Sequence, residues 1–283
     1  MTVITEPQIV TNSEHSKLTG KMGVVSLALT VLAFSAPLTT VSGYIPFAFS
    51  FGGIATPMAF VIVTAMVLLF SISYITLNSE VKRPGDFYSF ISFGLGKEAG
   101  LGSGLMAATS YFLILTGVAV FFGVSCAELH KEVSGEAFSW YWYTSACWLT
   151  VAILGYLHVE LSAKVLTWVM ISEIIVCVLF AFAVLKGGGD STMTTSVVFS
   201  PTQLFNPDIK LSLAMLFAVS FFLGFEATAL FRDEVRTPEK TIPMATYGSI
   251  IFIGCIYTLC AYAMVIAYGN DVQGVATGSP ATM

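Results

Sequence analysis

Between Met22 and Ser79 the chain carries no charged residue. A bilayer's hydrocarbon core is crossed by about 20 residues of α-helix, so this run is far too long for one crossing. Phe51-Gly52-Gly53 and Pro57 punctuate it, which predicts a first span near 22–50 and a second near 58–77. The composition agrees: of 283 residues, 56 % are apolar or aromatic and only 10 % are charged. A soluble domain carries about 25 % charged residues. That shortfall excludes a secreted disulfide scaffold, a disordered chain and nearly all soluble enzymes. The fold class that remains is an all-α polytopic membrane protein.

Residues 1–21 are polar, with Glu6, Glu14, Lys17 and Lys21, and read as a cytoplasmic tail. A cleavable signal peptide is not expected, because its apolar region runs only about 7–15 residues. Beyond the first two spans, the same reasoning predicts five more, near 102–126, 141–157, 161–185, 211–231 and 243–267. The membrane region is thus 22–267, followed by a polar extracytoplasmic tail over 268–283. Lys and Arg set the orientation. Alternate segments beginning at the N-terminus hold Lys17, Lys21, Lys82, Arg83, Lys97, Lys164, Arg232, Arg236 and Lys240, nine in all. The opposite segments hold only Lys131, Lys186 and Lys210. The N-terminus is therefore expected in the cytoplasm and the C-terminus outside, with Trp140, Tyr141, Trp142 and Tyr143 at the outer interface, where amphipathic rings settle. Seven-span receptors place the N-terminus outside, and a retinal protein needs a Schiff-base lysine that 243–267 lacks.

Little conventional chemistry is visible. The five cysteines (126, 147, 177, 255 and 260) lie in or beside apolar runs without a CxxC pairing and read as small hydrophobes. His15, His130 and His158 are scattered. There is no HExxH, Walker loop or GxSxG, and no basic stripe to neutralise phosphates. We expect no catalytic residue, no cofactor, no metal and no nucleic-acid partner. Gly96, Gly100 and Gly104, four apart, read as close packing at the entry to span three.

Two spans break the rules of a membrane helix. Span one contains Ser35-Ala36-Pro37-Leu38-Thr39-Thr40, then Ser42-Gly43 and Pro46. Proline deletes a backbone donor, so this is either a local opening or a simple kink. Span six contains Phe221-Phe222-Leu223-Gly224-Phe225-Glu226. An acid within a span is a functional candidate by default, the alternative being a Glu packed neutral against a neighbour. Pro37 lies 16 residues after Lys21, and Glu226 lies 16 after Lys210. The two helices would enter from opposite faces. Interrupted helices at matching positions of oppositely oriented repeats mark the midplane site of secondary transporters. Glu173 in span five is the other intramembrane acid, read either as a proton carrier or as a structural group.

At the exit of span six the chain reads Gly224-Phe225-Glu226, then Glu234-Val235-Arg236-Thr237-Pro238-Glu239-Lys240-Thr241-Ile242-Pro243. This resembles the amino acid–polyamine–organocation (APC) superfamily permeases, with their G-F-E followed by E-x-x-x-P-x-(K/R)-x-I-P. Arg83-Pro84-Gly85 and Ser162-Ala163-Lys164 look like the same family, and the resemblance covers roughly residues 20–268. It implies a five-plus-five inverted-repeat, leucine-transporter-like fold, of which seven spans form the first part. It implies a plasma (inner) membrane permease of amino acids or related amines, proton-coupled or exchanging, working by alternating access. Ser35, Ala36, Pro37, Leu38, Thr39 and Thr40 with Phe221, Phe222, Gly224, Phe225 and Glu226 would bind substrate. Glu173 falls where some members place a lysine in span five, which makes it the expected proton-coupling residue. The family's Gly-Ser-Gly-type break in span one is replaced here by Ser35-Ala36-Pro37. The family normally has about twelve spans, so the chain reads as truncated after the seventh. The alternative expectation is a non-transporting fragment or an accessory membrane subunit that needs further helices.

Overall fold

The computed structural model describes residues 22–81, 87–157, 163–187 and 194–277. The expected N-terminal tail with Lys17 and Lys21, the Lys82-Arg83-Pro84-Gly85 loop, His158, Ser162 and the end of the tail from residue 278 lie outside them. The described residues form helices and short connections, with one isolated bridge between Met22 and Val235. The helices are α1 (Val24–Ser35), α2 (Pro37–Thr39), α3 (Ile45–Gly52), α4 (Thr56–Glu80), α5 (Phe87–Leu95), α6 (Lys97–Ser134), α7 (Trp140–Tyr156), α8 (Ala163–Gly187), α9 (Thr195–Val198), α10 (Pro201–Leu204), α11 (Leu211–Ser220), α12 (Ala227–Leu230) and α13 (Pro238–Tyr268). Among the described residues, four stretches are long and apolar enough to cross a membrane: Val24–Glu80, Lys97–Ser134, Thr167–Gly187 and Pro238–Val275.

The first of these stretches holds two expected spans. Its reversal sits at Gly53, where φ is 49°, a region open to glycine but strained for residues with a Cβ. Gly52 beside it lies against Thr56 and Ala214. The seven-span expectation counts two segments that fall short of this length. Helix α7 has 17 residues, and the 211–231 segment is divided between α11 and α12. Span six is interrupted over 221–226, so no single helix fills it.

Other boundaries moved for identifiable reasons. Helix α6 has 38 residues, well beyond the predicted 102–126. At 1.5 Å per residue it is about 57 Å long, roughly twice a hydrocarbon core. Charges such as Glu128 and Lys131 mark where such a helix leaves lipid, but they do not end it. Glycine does: Gly135 takes φ 76° and its N–H donates to the Lys131 carbonyl, a left-handed C-cap. Helix α13 starts at Pro238 rather than 243. A proline at the first helical position loses only a donor that would be unpaired anyway. The Pro238–Pro243 motif thus forms the opening turns of the helix. The expected tail from 268 begins as a 3₁₀ segment, Gly269–Thr277, that packs against α3 and buries Val272 and Val275.

Chain direction is set by contacts at the ends of the two irregular spans. The Met22 N–H donates to the Glu234 carbonyl at 3.0 Å, and the Lys210 N–H to the Phe51 carbonyl at 2.8 Å. The start of span one therefore meets the end of span six, and the end of span one meets the start of span six. The two run antiparallel over their whole length. Helix α13 packs against α4, α8 and α1 and is the most buried of the long helices. Arg232 at the exit of span six is buried, and its Nη1 donates to the Asn78 carbonyl of α4 at 2.8 Å.

Close glycine packing is real but is not spread evenly over the Gly96–Gly104 series. A Cβ on Gly100 would strike Ser92, whereas Gly96 has open space and serves as a turn at φ 95°. Backbone approaches closely in the α6–α7 pair at Gly123. A Cβ there would meet the Trp140 carbonyl oxygen at 2.8 Å and the Thr144 nitrogen at 3.0 Å. Those are main-chain atoms that cannot swing away. Gly123→Ala should therefore destabilise the pair by about 1–3 kcal/mol. Gly102→Ala, with nothing within 4 Å, should be neutral or slightly stabilising. Thermal unfolding of the two variants in the same detergent checks the contrast.

Candidate functional site

The break in span one follows from Ala36-Pro37. A proline disfavours right-handed helix in the residue before it, and Ala36 adopts φ 40°, the one non-glycine positive φ among the described residues. Such a conformation costs an L-residue about 1–2 kcal/mol. It persists because the groups it releases are recaptured. The Ser35 carbonyl accepts from the Thr40 hydroxyl at 3.1 Å and from the Tyr257 hydroxyl at 3.2 Å. Ser35 Oγ also lies 2.9 Å from the Tyr257 hydroxyl. The Leu38 N–H, cut off from the helix before the break, donates to Glu173 Oε2 at 3.3 Å. The helix then loosens again over Thr40–Tyr44 into a π-helical turn, directly before Pro46. Such turns are frequent at functional sites. The region is thus an opening followed by a π turn rather than a simple kink.

Span six opens at Gly224, with φ 113°. Its Cα sits against span one: an added Cβ would lie 3.1 Å from Phe34 Cβ and 3.3 Å from the Ser35 nitrogen. The two breaks are therefore in direct contact. Glu226, only 3 % exposed, closes its own break, with Oε2 accepting from the Gly224 N–H at 2.8 Å. Oε1 accepts from the Tyr111 hydroxyl of α6 at 2.7 Å, and the Glu226 carbonyl accepts from the Tyr74 hydroxyl of α4 at 2.6 Å. Each oxygen of this residue thus has a donor inside the protein.

Two cavities flank the break. One of about 300 Å³ is bordered by Ser35, Ala36, Thr39, Thr40, Tyr44 and Phe221, with α6 as its far wall. The other, about 440 Å³, includes Phe222, Phe225 and Glu226 in its walls. Volumes of about 300–1,000 Å³ suit small ligands. The expected binding residues are therefore brought together but divided. Ser35, Ala36, Thr39, Thr40 and Phe221 share the first cavity, and Phe222, Phe225 and Glu226 share the second. Gly224 lies at the contact between the breaks, Pro37 is buried, and Leu38 participates through its N–H. Glu173 meets the span-one break through that N–H. Sequence reasoning missed Tyr257, Tyr111 and Tyr74. Tyr257 lies with Ala261 and Met264 on one buried face of α13. A lone hydroxyl on an otherwise apolar helical face was the available signal.

A family model described as amino acid permease matches residues 25–282. The chain belongs to the amino acid permease family. This permease is accordingly a multi-pass membrane protein and a transporter of amino acids. No match is found among curated proteins. The family assignment fits a site in which two interrupted helices meet beside a cavity. No group of His, Cys, Asp and Glu among the described residues could hold a metal ion.

Two substitutions test how the permease holds its breaks. Tyr257→Phe removes one donor to the Ser35 carbonyl, an expected loss of about 1–3 kcal/mol read by thermal unfolding. Gly224→Ala combines backbone strain with a contact tight against Phe34. It should destabilise the fold by about 1–3 kcal/mol, read by thermal unfolding.

Proposed function

We propose that this permease is a secondary active carrier that binds its amino acid at the facing breaks of spans one and six and moves it by alternating access. The direct contact between Gly224 and the Phe34–Ser35 backbone carries this reading. It places the polar backbone of one interrupted helix against that of another running the opposite way. Half-helix ends offer partial charges of both signs, which suit an ammonium and a carboxylate. Ser35–Thr40 with Phe221 would hold the polar end of the substrate, with Gly224–Glu226 completing the site. The antiparallel course of the two spans supports a five-plus-five inverted-repeat architecture with seven crossings in this chain. The clustering of Met22 with Arg232 and Arg236 at one end supports a cytoplasmic N-terminus in the plasma membrane.

Proton coupling is assigned to Glu173. As a carboxylate, its Oε2 holds the Leu38 N–H by a charge-assisted bond, the stronger kind. Protonation weakens that bond and frees α2 from α8, so the state of one carboxyl biases the packing of span one against span five. Movement would then hinge at Ala36-Pro37 and at Gly224, the two points where the helices have already lost regular bonding.

Uptake of radiolabelled amino acids into proteoliposomes with an imposed pH gradient tests both parts. The unsubstituted permease should accumulate substrate, faster with the interior alkaline. Glu173→Gln should keep counterflow exchange but lose the response to the gradient. A gradient response that survives in Glu173→Gln would remove the coupling role. Absence of any uptake or exchange would favour the other reading, a membrane subunit that does not transport alone.

A further inference from the structure

Two thiols take no part in the breaks, yet they sit between the helices that hold one of them. Cys177 of α8 and Cys260 of α13 are 83 positions apart in the chain, and each is only 1 % exposed. The Cys260 thiol donates to the Cys177 carbonyl oxygen at 3.7 Å, and the two thiols also interact with each other. The remaining cysteines are placed differently, Cys126 and Cys147 being half-buried and Cys255 exposed. A disulfide needs Cβ atoms about 3.5–4.5 Å apart, which packed helices reach only where two cysteines face each other. A sulfur that already touches its partner's main chain is a side-chain rotation away from its partner's sulfur.

The pair also lies where a bond would have consequences. Side chains three or four residues apart share a helix face. Glu173, one turn before Cys177, holds the Leu38 N–H, and Tyr257, one turn before Cys260, holds the Ser35 carbonyl. The two helices that support the span-one break therefore meet each other at the two sulfurs.

We propose that Cys177 and Cys260 are a disulfide-forming pair oxidised by peroxide, and that the bridge locks α8 to α13 and halts the transport cycle. The lock rests on the transport reading above; the bridge does not. Peroxide first oxidises one thiol to a sulfenic acid, releasing a water. The sulfur of the second thiol then attacks that sulfur. The S–S bond forms, the S–O bond breaks, and the hydroxyl leaves as a second water with the proton of the attacking thiol. The sulfurs have together given two electrons to the peroxide. Apolar burial makes a thiol slow to react, so the bridge forms slowly and needs a small uncharged oxidant. Hydrogen peroxide is both.

The test treats the purified permease in proteoliposomes with hydrogen peroxide, blocks the remaining thiols with N-ethylmaleimide and digests without reductant. Mass spectrometry should find peptides joined through Cys177 and Cys260, and dithiothreitol should separate them. Counterflow exchange of a radiolabelled amino acid mixture should fall in proportion to the fraction bridged and return with dithiothreitol. Cys260→Ser should keep its exchange through the same treatment, and Cys177→Ser takes its place if that variant does not fold. Cys255→Ser, lacking the exposed thiol of α13, should lock as the unsubstituted protein does. Recovery of Cys177 and Cys260 unbridged after prolonged peroxide overturns the pair. A bridge that leaves exchange unchanged, or a loss of exchange equal in Cys260→Ser, overturns the lock. Absence of exchange before peroxide overturns the transport reading, and the joined peptides then decide the bridge alone.

Discussion

A helix interrupted inside hydrocarbon must find partners for every backbone group it releases, because no bulk water is there to take them. That requirement organises the interior of this permease. The break in span one is held from outside, by the Tyr257 hydroxyl on one side and the Glu173 carboxyl on the other. Helices α13 and α8 are thereby fixed against α1 and α2. The break in span six is held mainly from within, by Glu226, with Tyr74 and Tyr111 tying it to α4 and α6. Remove these side chains and the spans would have reason to become ordinary helices, or to come apart.

The difference between the two breaks follows from their sequences. Glycine at 224 takes its positive φ freely, so span six can open wherever its neighbours allow. Ala36 takes a similar region at a cost, and Pro37 weakens the competing regular helix by removing a donor and crowding the residue before it. An alanine–proline hinge is stiffer than a glycine one, and more of the surrounding protein is recruited to hold it. The π turn over Thr40–Tyr44 continues the same adjustment towards Pro46. There Gly43 lets the Phe121 ring approach to a distance a Cβ would fill.

Much of this was legible in the sequence, and the limits are physical. Gly52-Gly53, Pro37 and Gly224 announce their conformations because few residues could stand in for them. The expectation that spans one and six enter from opposite faces agrees with the antiparallel pairing that Met22–Glu234 and Phe51–Lys210 display. The true length of α6 was hidden because a helix continues into water as readily as it crosses lipid. Helix α5 was hidden because nine residues from Phe87 give too short a pattern to separate from a loop. Tyr257 was hidden for another reason. In a span, a tyrosine that repairs a neighbour's backbone looks no different from one facing lipid until the partner helix is placed beside it. For Glu226, a place in the break could be read in advance, but not whether its charge faced a ligand or its own main chain.

That last distinction bears on the unloaded protein. A carrier must complete half of its cycle, or an exchanger must wait between cargoes, with nothing in the site. If the open turn at Gly224 relied on a visiting carboxylate to satisfy its N–H, departure of the cargo would leave a bare donor in an apolar interior, and the turn would tend to close. Glu226 supplies a tethered carboxylate two residues away that never leaves. The open turn thus keeps its shape without a visiting carboxylate, and on the proposed reading each amino acid would meet a surface that does not have to be rebuilt.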